Sequence, residues 1–125
     1  MKRSLKEKLH DEGLRCTQPR RCIVEALESG PKTHAELLKL TGLDRVTVYR
    51  NLLALQKIGL IYRVYLTTGE PYYVLCDTEK PSHAHFFCEK CHQAMCLPDE
   101  TIQVAPPWAE RVERVLLVGK CAKCA

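Results

Sequence analysis

The stretch Gly42-Leu43-Asp44-Arg45-Val46-Thr47-Val48-Tyr49-Arg50-Asn51-Leu52 decides how the N-terminal half folds. Gly42 suits a tight turn, and Asp44 is a helix N-cap whose carboxylate can accept from the first free amides. The helix it opens is predicted to run to Ile58, with Gly59 at its end. Val48, Leu52 and Leu55 recur at helical spacing and face a core. Arg45, Thr47, Tyr49 and Arg50 are left toward the free, N-terminal part of the helix. Upstream, Thr33-His34-Ala35-Glu36 reads as a capping box opening another helix, with Leu37, Leu38 and Leu40 as its apolar content and His34 on the surface. Helix, glycine turn, and helix with exposed hydrogen-bonding residues at its start make a helix-turn-helix. A small helical bundle with a charged face fits these helices equally well, so the neighbouring segments decide.

Downstream, Leu60-Ile61-Tyr62-Arg63-Val64-Tyr65 and Pro71-Tyr72-Tyr73-Val74-Leu75 are β-rich runs on either side of Thr67-Thr68-Gly69-Glu70. That is a hairpin signal, and a helix-turn-helix followed directly by a hairpin is a winged helix. Four of the five tyrosines fall in this wing, with ring bodies to pack on the helices. Upstream, Leu5 and Leu9 mark a short helix ending near Gly13. Thr17 caps the next, with Pro19 in its first turn and Ile23, Ala26 and Leu27 inward. Cys22 reads as a small buried side chain in that stretch.

Charge and cysteine divide the chain in opposite senses. Residues 1–65 carry 13 Lys and Arg against 7 Asp and Glu, whereas residues 66–125 carry 6 against 8, within an overall +4 over 125 residues. A basic half suits a polyanion. Six of the eight cysteines lie in the other half. Hydrophobic residues at 46% and charged residues at 27% mark an ordinary globular chain, without the apolar run of a membrane span. Met1-Lys2-Arg3-Ser4-Leu5-Lys6 lacks the apolar centre of a signal peptide, so a cytoplasmic location is expected. In a reducing compartment thiols persist, and this many of them imply a metal.

Cys88-Glu89-Lys90-Cys91 and Cys121-Ala122-Lys123-Cys124 are two CxxC pairs. Each lets two thiolates reach one ion from a single turn, and two such turns complete a tetrahedron, the arrangement of a closed structural zinc site. With two pairs and no βαβ pattern, thioredoxin-like redox chemistry is disfavoured. A second group comprises Cys76, His83 and His85. On an extended strand the two imidazoles share a face, and one thiolate with two imidazoles is a borderline-soft set that favours zinc over iron or manganese. A solvated pair of histidines on a loop is the plain alternative.

These features together resemble the ferric uptake regulator superfamily of metal-sensing repressors. The resemblance is carried by Gly13-Leu14-Arg15 leading to Thr17, Pro19 and Arg20, by Thr47-Val48-Tyr49-Arg50-Asn51-Leu52, by His83-Ala84-His85-Phe86-Phe87-Cys88-Glu89-Lys90-Cys91, and by the terminal Cys121–Cys124 pair. It implies an α+β chain: a winged helix-turn-helix DNA-binding domain over residues 1–75, then a metal-binding and dimerisation domain of α/β type over 76–125. Cys76, in a position where iron-sensing members typically carry Glu, makes the chain most similar to zinc uptake regulators. That branch implies a zinc-responsive repressor that binds double-stranded operator DNA as a homodimer, with one structural and one regulatory zinc per chain.

The fourth sensing ligand departs from the usual pattern, and Cys96 is the candidate; His92, standing where a Gly usually follows the second Cys, is a weaker one. The segment between the CxxC pairs is short and contains Pro106-Pro107, where the family usually has a full dimerisation helix. One or two turns over Asp99–Val104 and a strand over Arg111–Val118 are expected there, with a reduced dimer interface. For DNA, Arg45, Thr47, Tyr49 and Arg50 are assigned to the major groove, Arg15 to the minor groove, and Arg20, Arg21, Lys2 and Arg3 to phosphates. Iron or peroxide sensing are the alternatives within the superfamily. A zinc-ribbon protein-interaction module is the alternative outside it. A zinc deaminase is disfavoured, because His83-Ala84-His85 lacks the glutamate that chemistry needs. Neither an enzymatic role nor a small organic substrate is expected.

Overall fold

The computed structural model describes residues 4–66, 69–76, 84–97, 101–112 and 115–125, and of Cys96 the backbone alone. The chain divides into two compact units, Met1–Leu75 and Cys76–Ala125.

The first unit is built of four helices and a three-stranded sheet. Helix α1 (Leu5–Asp11) is capped by the Ser4 hydroxyl, which accepts from the Glu7 amide, and buries Leu9 completely. Helix α2 (Gln18–Glu28) follows a Thr17 cap and carries Pro19 in its first turn, where the missing N–H costs nothing. Strand β1 (Lys32–Thr33), not foreseen in the sequence, leads straight into α3 (His34–Thr41). The capping box is formed: the Thr33 hydroxyl accepts from the Glu36 amide, and the Glu36 carboxylate accepts from the Thr33 amide. Gly42, with φ of 71°, closes α3 in the left-handed region that favours glycine, and the Asp44 cap opens α4 (Arg45–Lys57).

Strands β2 (Ile61–Val64) and β3 (Tyr72–Leu75) pair antiparallel from Ile61↔Leu75 to Val64↔Tyr72, and β1 joins β3 on its other side. Thr67 and Thr68, at the expected hairpin turn, lie outside the described residues. Leu9, Ile23, Val24, Leu27, Leu37, Val48, Leu52 and Leu55 form one core, which Ile61 and Tyr73 join from the wing. Tyr62 is buried as well, whereas Tyr65 is exposed.

Of the leucines of α3, Leu37 is fully buried and Leu40 is 59% exposed. Two expectations are corrected here. Cys22 is half-buried and accepts from the Gln18 side chain one turn earlier, with Ile23 and Val24 taking the inward positions. His34 is half-buried, with its Nε2 enclosed away from solvent and from any hydrogen-bond partner.

The second unit is a small mixed sheet in the order β5-β4-β6. Its strands are β4 (Ala84–Cys88), β5 (Ala94–Cys96) and β6 (Val115–Gly119). Strand β4 pairs antiparallel with β5 and parallel with β6. Among the described residues the helical content of this unit is confined to 3-10 geometry, chiefly one turn at Trp108–Glu110 just after Pro106-Pro107. Residues 102–105 are not helical, and the strand expected from Arg111 begins at Val115. A helix cannot run on through Pro106-Pro107, since proline lacks the amide donor that a helix interior needs. Asp99 and Glu100 lie outside the described residues.

Candidate metal centre and nucleic-acid interface

Parallel pairing of β4 with β6 assembles the four-cysteine cluster. Parallel strands end on the same side of a sheet, and Cys88 is level with Gly119. The turn after β4 carries Cys91, and the turn after β6 carries Cys121 and Cys124. The Glu89 amide donates to the Gly119 carbonyl at 2.8 Å, stitching the two turns at their roots. Cys88, Cys91, Cys121 and Cys124 then present sulfurs that all lie within 4.8 Å of one another.

The spacing fits shared metal ligation and not a disulfide. Cys91 and Cys121 Sγ are 3.8 Å apart, far beyond the S–S bond of about 2.05 Å. Two ligands of a tetrahedral zinc at Zn–S of about 2.3 Å are separated by about 3.8 Å. The amides of Cys91 and Cys121 both donate to Cys88 Sγ, each at 3.4 Å. These two amide bonds, Cys91 first, pull the Cys88 thiol down to about 5. A hydrogen bond donated by Cys124 lowers Cys121, and the same contact, burial adding to it, pushes Cys124 up to about 12. Thiolates bind a divalent ion in their deprotonated form, and the donor set and spacing fit zinc. After Cys91 the chain turns through His92, whose φ of 63° lies in the region glycine prefers, and its ring stacks at a tilt 6.1 Å from Phe87.

The second candidate group is present in part. Cys76 directly follows β3, and His85 is the second residue of β4; both are buried. Cys76 Sγ and His85 Nε2 are 3.6 Å apart. A sulfur and a nitrogen on one tetrahedral zinc are separated by about 3.6 Å. Cys96 is the cross-strand partner of His85 in the β4–β5 register. His83 and the side chain of Cys96 lie outside the described residues.

In the first unit, helix α4 presents Arg45, Tyr49 and Arg50 to solvent, Tyr49 being 52% exposed. Val46 is exposed too, three residues before Tyr49 and on its face of the helix, an apolar contribution the sequence reading passed over. Thr47 is half-buried, and its hydroxyl donates to the Asp44 carboxylate, which also accepts the Thr47 amide at 3.1 Å. Those bonds hold the Asp44 carboxyl below the usual carboxylate range. Arg15 is exposed in the segment before α2. Arg20 differs from the others. It is half-buried and donates to Asn51 Oδ1 at 3.1 Å and to the Arg15 carbonyl at 2.9 Å. Arg21 is exposed and donates to Cys16 Sγ at 3.6 Å.

Among curated protein sequences, none matches the chain. Solved structures do. Holo XcZur superposes with a TM-score of 0.74 at 23% identity, over 95% of this chain and 92% of that one. A zinc uptake regulator complexed with zinc and DNA gives 0.67 at 20% identity, over 97% and 95%. The Campylobacter jejuni peroxide stress regulator gives 0.64 at 23%, over 98% and 100%. At these identities the likeness is one of fold. The sequence profile of the ferric uptake regulator family matches residues 11–115, which is most of the chain. No helix among the described residues is long and apolar enough to cross a membrane. With a helix-turn-helix unit, a four-cysteine cluster and that match, the chain belongs to the ferric uptake regulator family, whose members are metal-binding transcription regulators of DNA and not enzymes.

Proposed function

We propose that this protein is a zinc-responsive repressor that binds operator DNA as a metal-loaded homodimer in the cytoplasm. The first unit is the DNA-binding domain and the second the metal-binding and dimerisation domain. Cys88, Cys91, Cys121 and Cys124 hold a structural zinc. Cys76, His83, His85 and Cys96 hold the regulatory one. Arg45, Tyr49 and Arg50, with a lesser part for Thr47, read the major groove, and Arg15 enters the minor groove.

The observation that carries zinc rather than another metal is the buried Cys76–His85 pair, 3.6 Å apart. A thiolate beside an imidazole is a soft set, better matched to zinc than to ferrous iron or manganese. Cys76 stands where the chain leaves β3, so an ion gripping it restrains the connection between the winged helix and the remainder of the chain. Such an ion favours whichever conformation brings its donors together, in proportion to its differential affinity for that state. Changing the population ratio a hundredfold takes about 2.7 kcal/mol, well below the 10–16 kcal/mol that structural zinc sites reach.

The test is a zinc titration of operator binding with wild type and Cys76→Ser side by side. The variant is expected to keep one zinc per chain and its fold, yet fail to tighten on DNA as zinc is added. An unchanged response moves sensing away from this pair. A wild type that tightens with ferrous iron and not with zinc overturns the zinc assignment.

A further inference from the structure

Resting on the reading of α4 as the DNA-contacting helix, we infer that Arg20 is a positioning residue, which locks the Arg15 segment to the recognition helix through Asn51, and is not a phosphate contact. A chain of hydrogen bonds carries this. Asn51 Nδ2 donates to the Thr47 carbonyl one turn earlier, at 2.8 Å. Its Oδ1 accepts from Arg20 Nε at 3.1 Å. Arg20 Nη1 donates onward to the Arg15 carbonyl at 2.9 Å. That carbonyl is also held by the Thr17 amide at 3.1 Å.

The polarity of the chain is unambiguous. A carbonyl only accepts and a guanidinium only donates, so the Asn51 amide has one workable orientation between them. The guanidinium is well suited to the task because its donors are fixed in a plane and reach two acceptors in different directions at once. A lysine ammonium has donors enough, but no rigid fork to hold the two acceptors in register.

Location gives the chain its consequence. Arg20 lies in the first turn of α2, Asn51 in the middle of α4 two residues beyond Tyr49, and Arg15 in the exposed segment before the α2 cap. One half-buried cation therefore sets the position of the Arg15 backbone relative to the helix that carries Tyr49 and Arg50. Groups held in place beforehand lose less freedom on binding, so the bond network raises affinity only for DNA that uses both elements together. A duplex bound through phosphates alone does not need that register.

The test uses the full-length, zinc-loaded protein and two duplexes: one selected by the wild type from a random-sequence pool, and one of scrambled sequence. Affinities are measured over a salt series for wild type, Arg20→Ala, Arg20→Lys, Asn51→Ala and the Arg20→Ala/Asn51→Ala double variant. Each single variant is expected to lose roughly ten- to a hundredfold for the selected duplex, as for loss of a hydrogen bond to a charged group, and little for the scrambled one. The double variant is expected to lose no more than either alanine variant, because both break one chain. The slope of log affinity against log salt is expected to stay at the wild-type value. Asn51→Ala and Arg20→Lys change no charge, so they test the link where Arg20→Ala disturbs folding. A phosphate contact predicts the reverse: Arg20→Ala reduces the salt slope by about 0.9 per contact, Arg20→Lys retains binding, and Asn51→Ala is silent. That pattern, or additive losses in the double variant, overturns the inference and leaves the DNA-binding reading intact. A wild type that selects no duplex overturns the DNA-binding reading and the inference with it.

Discussion

Removing the metal from the four-cysteine cluster should unfold the second unit while the first stays folded. The two units differ in what holds them together. The first packs a continuous core from Leu9 to Tyr73 around fully buried leucines, valines and isoleucines. Among the described residues of the second, only Cys76, Ala84, His85, Phe87 and Cys88 are buried, while Met95, Trp108, Leu117 and Val118 remain exposed. At about 0.05–0.15 kcal/mol per residue, 50 residues are worth roughly 2.5–7.5 kcal/mol even when well packed. Structural zinc sites supply about 10–16 kcal/mol of apparent binding energy, so a zinc held by the four cysteines would outweigh the packing. Cys121→Ser removes one ligand of the cluster and the sulfur 3.8 Å from Cys91. Hydrogen exchange read by segment is the assay, on the variant and on wild type stripped by a chelator, with bound zinc measured in parallel. Amides of β4 and β6 are expected to lose protection, and those of α2 and α4 to keep it. Metal-free protein that retains protected β4 and β6 amides would refute the argument that the ion holds this sheet.

Three further outcomes follow from other parts of the structure. Tyr49→Ala, at a half-exposed site on α4, should lower discrimination between selected and scrambled duplexes while leaving the melting temperature near wild type, checked by competition binding and thermal denaturation. Thr33→Ala removes the hydroxyl half of a formed capping box and should cost about 1 kcal/mol in a denaturant titration, with no change in DNA sequence preference. The Asp44 carboxyl is held low by its bonds to Thr47, so its stabilising effect is complete above the unfolded value near about pH 4 and is lost as pH falls through the lower folded value. Asp44→Asn still caps but does not titrate, so acid unfolding curves should show a shallower loss for it below about pH 4 than for wild type.

Much of the first unit was legible because local signals there agree with one another. Thr17, Thr33 and Asp44 are caps, Gly42 and Gly59 take positive φ, and Val48, Leu52 and Leu55 repeat at helical spacing, all pointing to the same helices. The two-residue β1 escaped because its pairing is with β3, some forty residues later, and Lys32-Thr33 carries no apolar alternation of its own. The phase of α3 was not legible from its apolar content alone: Leu37, Leu38 and Leu40 spread around the helix, and the core takes only Leu37 fully. The four-cysteine cluster could be read from spacing because each CxxC is a local turn. What spacing could not provide was the parallel β4–β6 pairing that brings the turns together across 33 positions, from Cys88 to Cys121.

Arg20 shows most plainly where reading by residue type stops. In a basic half next to a helix start, an arginine is a fair phosphate candidate on charge alone. Its partners are an amide on another helix and a backbone carbonyl five residues earlier, and neither is visible in composition. A usable signal was nonetheless present in Asn51. Asparagine is a poor helix interior residue unless its side chain is engaged, and one turn after Thr47 it can donate back to a backbone carbonyl. That leaves an oriented acceptor which only a donor from elsewhere in the fold can satisfy, and the half-buried guanidinium is that donor. A polar residue set where local propensity disfavours it is therefore the place to look for a long-range bond, and here the bond joins two segments assigned to different grooves of the same DNA.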